Sequence, residues 1–163
     1  MIFRIRYFTP LIVAAGCLLA TVACSPALQT QSEGEALSSA EEITAYVSGN
    51  TLRSVVGGGM YFAPDGKLVT VETQIDQLSL GQWSVTPGVP SKLCLSPQRG
   101  AYVIGGELQE FAMDGFCYEV EPQPNGRTVM DARNAPEFLT GRLQRGFPLA
   151  SRYEKLKRKL GLN

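Results

Sequence analysis

The chain has 163 residues, 44% of them hydrophobic, with fifteen Lys/Arg balancing fifteen Asp/Glu and no histidine. Without histidine the chain lacks Ser-His-Asp and Cys-His catalysis, histidine-ligated zinc and the commonest general base at neutral pH. The balanced total conceals an asymmetry: Cys24–Gly141 holds six basic residues against fourteen acidic ones, and Arg142–Asn163 holds seven against one, so an acidic body carries a basic tail.

Arg4 and Arg6 precede an apolar run from Leu11 to Ala23, the order of a secretory signal peptide, and too short for a comfortable membrane span. Thr21-Val22-Ala23-Cys24 places small residues before a cysteine and resembles the lipobox of bacterial lipoproteins, in which that cysteine is lipidated and becomes the mature first residue. Thr21 stands where the box usually has leucine. Ser25 in place of aspartate implies, by the same resemblance, sorting to the outer membrane, facing the periplasm. The alternatives are cleavage at Thr21-Val22-Ala23 or Ser25-Pro26-Ala27, giving a free periplasmic or secreted protein, or an uncleaved anchor. Cys17 offers a second box, but with a shorter apolar stretch before it than signal peptides use. The expected organisation is a signal peptide over 1–23, a flexible tether over 24–40, a β domain over 41–141 and a basic tail over 142–163. Roughly 120 residues remain to fold, enough for one domain with its own core.

Ser38-Ser39-Ala40-Glu41-Glu42 contains two overlapping capping boxes, so a short helix is predicted from there to Gly49, burying Ile43, Tyr46 and Val47 as a cover for a sheet. From Thr51 the pattern turns to short β-branched and aromatic runs separated by turn residues. Strands are predicted over Thr51–Val56, Met60–Ala63, Lys67–Thr73 and Gln77–Thr86, with Asp65-Gly66 marking the clearest hairpin. In the last of these, Leu78 and Leu80 alternate on one parity and Trp83 and Val85 on the other. A bulge near Gly81 would return all four to one face. Lys92–Ser96, Ala101–Ile104, Glu107–Met113 and Phe116–Glu121 continue the meander through Gly105-Gly106 and Asp114-Gly115, and Arg127–Asp131 is expected to be the last strand. In the tail, Ser151 to Glu154 forms a further capping box, and Leu149, Tyr153, Leu156 and Leu160 make one stripe of a short basic helix. That helix could dock on the acidic body, lie on anionic lipid, contact a partner or fray. The fold expected is a small antiparallel β-sandwich or barrel with a capping N-terminal helix and a basic C-terminal helix.

Cys94 and Cys117 are the cysteines left after the signal. In an oxidising compartment they most simply form one disulfide. Both lie on the parity opposite Leu93, Leu95, Phe116, Tyr118 and Val120, so the bridge would cross strands on the outer face. The alternative, a redox or metal-binding pair, lacks the C-x-x-C spacing and any histidine.

From Glu41 to Leu95 the order of features resembles the DUF995 family of exported alphaproteobacterial proteins. The matching pieces are the leading helix, SGNT at Ser48–Thr51, GGGMYFAPDGK at Gly57–Lys67, GQW at Gly81–Trp83 and LCL at Leu93–Leu95, with Cys117 standing where a second family cysteine would pair with the first. The likeness covers about half the mature chain. Leu52-Arg53 replaces an expected aromatic, and no pattern continues beyond Val120. The family is defined by a domain of unknown function, so the resemblance implies a fold and not an activity.

The residues that could carry a site are few. Trp83 could be a ligand platform, although an inward alternating position favours core. Glu119 and Glu121 would lie about 7 Å apart on one strand face, a spacing that could flank a glycosidic bond, although a solvated strand face is the plainer reading. Gly57-Gly58-Gly59 leads into a strand and not a helix, which argues for a backbone bend over a phosphate loop. No cofactor, metal or nucleic-acid partner is expected. The leading expectation is a non-catalytic envelope lipoprotein, anchored through Cys24, that binds an envelope protein or cell-wall partner. A lysozyme-inhibitor-like periplasmic protein and a carboxylate-dependent glycan hydrolase are the alternatives.

Overall fold

In a computed structural model describing residues 35–55, 57–132 and 138–162, the Ser39 hydroxyl and the Glu42 carboxylate close a capping box at the start of α1 (Ala40–Val47). Glu42 also accepts from the Ser38 backbone and hydroxyl, and these hydrogen bonds, the Ser39 backbone N–H first, hold its pKa below the usual carboxylate value. Gly49, at φ +73°, provides the left-handed turn that ends the helix region. Ile43 and Val47 are fully buried.

Ten strands follow among the described residues: β1 (Asn50–Arg53), β2 (Gly59–Phe62), β3 (Lys67–Glu72), β4 (Gln77–Thr86), β5 (Lys92–Leu95), β6 (Gln98–Ile104), β7 (Glu107–Met113), β8 (Phe116–Pro122), β9 (Arg127–Asp131) and β10 (Phe138–Arg145). Eight of them close an antiparallel barrel in the order β3-β2-β1-β10-β9-β8-β5-β4, with β4 returning to β3. Closure leaves those eight strands without the free edges of a sandwich, while β7 ends the sheet beside β6. The β6–β7 hairpin extends β5 and β8 beyond the barrel in one register, from Leu93↔Tyr118 to Ile104↔Glu107. Its two-residue tip, Gly105-Gly106, has positive φ at both positions, the backbone of a type I′ turn.

Three expectations are corrected here. First, Arg127–Asp131 is not the last strand. β10 runs between β9 and β1, and the boundary expected at 141/142 cuts through it. Second, β4 has no bulge near Gly81: its pairing with β3 is unbroken from Lys67↔Gln82 to Glu72↔Gln77. Trp83 and Val85 face the barrel interior, whereas Leu78 faces outward into a second apolar cluster. The extra residue lies on the neighbouring strand, where three residues, Ser96 to Gln98, span the gap between the Trp83↔Leu95 and Leu80↔Arg99 pairs. Third, the folded body begins before residue 41. Leu37 is buried, and its backbone N–H donates to the Val120 carbonyl at 2.8 Å.

Two cores result. Leu52, Phe62, Leu68, Leu93, Tyr118, Val120 and Met130 fill the barrel together with Ile43 and Val47, so α1 closes one end. Tyr46 reaches Thr128 there, with 2.8 Å between hydroxyl oxygens. The second core lies on the outer face of β3, β4 and β6, where α2 (Ala150–Lys159) lays Leu149, Leu156 and Leu160 against Val69, Val71, Leu78 and Ala101. Tyr61 stacks on Phe147 beneath it at 4.5 Å. The expected apolar stripe of this helix is the docked face, but the capping box is not used. Ser151 lies inside the helix, and Leu149 stands at the N-cap without a side-chain hydrogen bond.

Candidate functional site

The end of the barrel opposite α1 is built from the last residues of β1, β3 and β5 and the first of β2, β8 and β10. Leu68, Thr70 and Glu72 share the inward parity of β3, so the interior becomes polar toward this end. Two hollows open there. One, of about 320 Å³, is lined by Met60, Leu95, Gln98, Met113, Phe116 and Leu139, with Tyr118 and Asp114 beside them. The other, also about 320 Å³, is lined by Leu52, Gly59, Thr70 and Glu72, and shares Met60 and Leu139 with the first. Those shared side chains make them neighbouring lobes of one candidate site. Each falls at the lower end of the range of small-ligand cavities, about 300–1,000 Å³.

Gln98 is the polar group at the base of the first lobe and is only 4% exposed. The hydroxyls of Ser79 (2.9 Å) and Thr70 (3.1 Å) both donate to its Oε1, and the side chain lines the lobe. Gly81 leaves room for this arrangement, since a Cβ there would come within 2.8 Å of the Gln98 side chain. Glu72 sits in the other lobe, and burial pushes its carboxyl pKa up. No Lys or Arg lines either lobe.

The residues singled out from sequence lie elsewhere. Trp83 is 8% exposed in the half of the barrel closed by α1. Its indole N–H donates to the Ala63 carbonyl at 2.8 Å, and its ring meets Phe62 edge-on, so its polar handle is used within the core. Glu119 and Glu121 are together on the outer parity of β8, but Glu119 is 4% exposed and Glu121 half-buried, which corrects the expectation of a solvated face. Neither lines a lobe. Cys94 and Cys117 are register partners on β5 and β8, joined on the outer face with sulfurs 2.03 Å apart. Gly57 and Gly58 have positive φ and lead into β2, the bend expected of the triplet. Cys24 and the segment expected to be a signal peptide lie outside the described residues.

Among the described residues, no group of three or more His, Cys, Asp or Glu side chains is placed to hold a metal ion. A third, wider hollow of about 510 Å³ lies outside the barrel, lined by Leu80, Arg99, Phe111 and Leu162, and no buried polar side chain is directed into it. Comparison with protein-family models, with curated proteins and with solved structures finds no match to this chain.

Sequence reasoning missed Met60, Gln98, Leu139 and Glu72 as site residues. One signal was available: on β3 the parity of Leu68 runs to Thr70 and Glu72 while Val69 and Val71 stay apolar, as in a strand covered outside and opening onto a polar interior.

Proposed function

We propose that the protein is an exported, non-catalytic binding domain of the cell envelope, tethered through Cys24, and that its ligand enters the barrel end opposite α1. The observation that carries this reading is the two-lobed apolar site with a buried amide, Gln98, in its lining. A cavity rich in apolar side chains with a few fixed polar groups is the usual form of a binding site for a small molecule or a single apolar group of a larger partner. The disulfide supports an oxidising location. Neither the lysozyme-inhibitor nor the glycan-hydrolase alternative draws support from a particular observation.

N-phenyl-1-naphthylamine, a neutral apolar fluorophore, tests the site. Its emission is expected to rise on addition of the purified protein, and Met60→Trp, which fills the junction of the lobes, is expected to remove the rise. No rise with the wild-type protein, or an unchanged rise with Met60→Trp, contradicts the reading. The mass of the mature amino terminus tests the tether, with a lipid-modified Cys24 expected and an unmodified cleaved terminus opposing it.

A further inference from the structure

The direction in which Gln98 is held narrows the ligand chemistry, on the reading that the barrel end is a binding site. Both hydroxyl bonds fall on Oε1, so the amide offers the lobe its donors. A ligand that brings an acceptor to these donors gains a hydrogen bond, worth about 1 kcal/mol net. A hydroxyl would bring a donor of its own, while Thr70 and Ser79 already direct their hydrogens at Gln98. A carbonyl oxygen accepts without adding an unmatched hydrogen.

Charge decides between kinds of carbonyl. Asp114 borders the first lobe and Glu72 lines the second. With no cation lining either lobe, a carboxylate would enter unpaired and beside like charge, which is strongly unfavourable. The remaining large side chains of the lining are apolar, aliphatic or aromatic: Met60, Leu95, Met113, Phe116 and Leu139. One lobe of about 320 Å³ has room for roughly ten chain atoms at about 30 Å³ each.

We infer that this cavity takes a medium-length acyl chain whose neutral carbonyl, an ester or an amide, accepts a hydrogen bond from Gln98 Nε2. An ester would come from a lipid and an amide from an N-acyl conjugate, and the two share the recognised group.

Displacement of bound N-phenyl-1-naphthylamine from the purified protein, with methyl decanoate, N-methyldecanamide, decanoate and decane as competitors, tests this. The ester or the amide is expected to compete at about tenfold lower concentration than decanoate or decane, the scale of one hydrogen bond. The better of the two names the source. Gln98→Glu keeps an acceptor for Thr70 and Ser79 and is expected to lose that preference. A shift of the Gln98 side-chain amide nitrogen resonance on adding the ester gives the same readout without a variant. Decanoate or decane competing as well as the ester overturns the inference, as does an ester preference surviving in Gln98→Glu. Failure of the fluorophore to bind the wild-type protein removes the binding site itself, a separate outcome.

Discussion

Lys159, in the last turn of α2, is ion-paired with Asp76 in the connection between β3 and β4, and Arg152 reaches the same carboxylate from one face of the helix. The basic tail thus finds its counter-charge on the acidic body, while Leu156 and Leu160 anchor the helix beneath. Lys159 first, then Arg152 and Lys155, hold the Asp76 pKa below the ordinary carboxylate value. A depressed folded-state pKa adds stability that is present above the unfolded value and is lost as pH falls through the folded one. Asp76→Asn is expected to cost about 1 kcal/mol at neutral pH, and less in high salt or strong acid, as read from urea unfolding under each condition.

Leu156 tests the apolar half of the same contact. It is fully buried, and Leu156→Ala is expected to cost about 3 kcal/mol. Amide hydrogen exchange should show α2 losing protection before the barrel does. Equal loss throughout would mean that the helix and barrel unfold as one unit.

The disulfide joins directly opposed residues and closes a loop with a sequence separation of 23. Replacing both Cys94 and Cys117 with serine is expected to lower stability by about 3 kcal/mol, measured by denaturant midpoint. The same change should follow from reduction of the wild-type protein.

Glu72 behaves oppositely to Asp76. Burial raises its folded-state pKa, so the folded protein holds this proton to higher pH than the unfolded chain does. The group therefore costs stability at neutral pH, and that cost fades as pH falls through the folded value toward the ordinary one. Glu72→Gln is expected to raise the Tm at pH 7 and to leave it unchanged near pH 4. A lower Tm at pH 7 would mean that the charged carboxylate is stabilised in place.

Much of the barrel is legible because its strands carry local signals. Asp65-Gly66 fixes one hairpin, and Phe116, Tyr118 and Val120 against Cys117 give the inward and outward faces of β8 without any tertiary knowledge. Where a strand depends on distant partners, the local pattern misleads. In β10, Arg142 and Arg145 read as the start of a basic tail, whereas pairing with β1 and β9 makes it a strand. Gly141 lets β10 lie close against β1, since a Cβ there would meet the Arg53 carbonyl at 2.2 Å. Leu78 suggested a bulge because the surface that buries it, α2, comes more than seventy residues later. The site was the least legible part. Met60, Gln98 and Leu139 come from three strands far apart in the chain, and they meet only through closure of the barrel and the pairing of β6 with β4.

The most direct measurement is a nitrogen and methyl NMR titration of the purified protein with methyl decanoate. The expected result is saturable shifts concentrated at Met60, Leu95, Gln98, Met113, Phe116 and Leu139, with α2 unperturbed. Shifts confined to α2 and the outer hollow at Leu80, Phe111 and Leu162, or none at saturating ligand, would contradict a binding site inside the barrel.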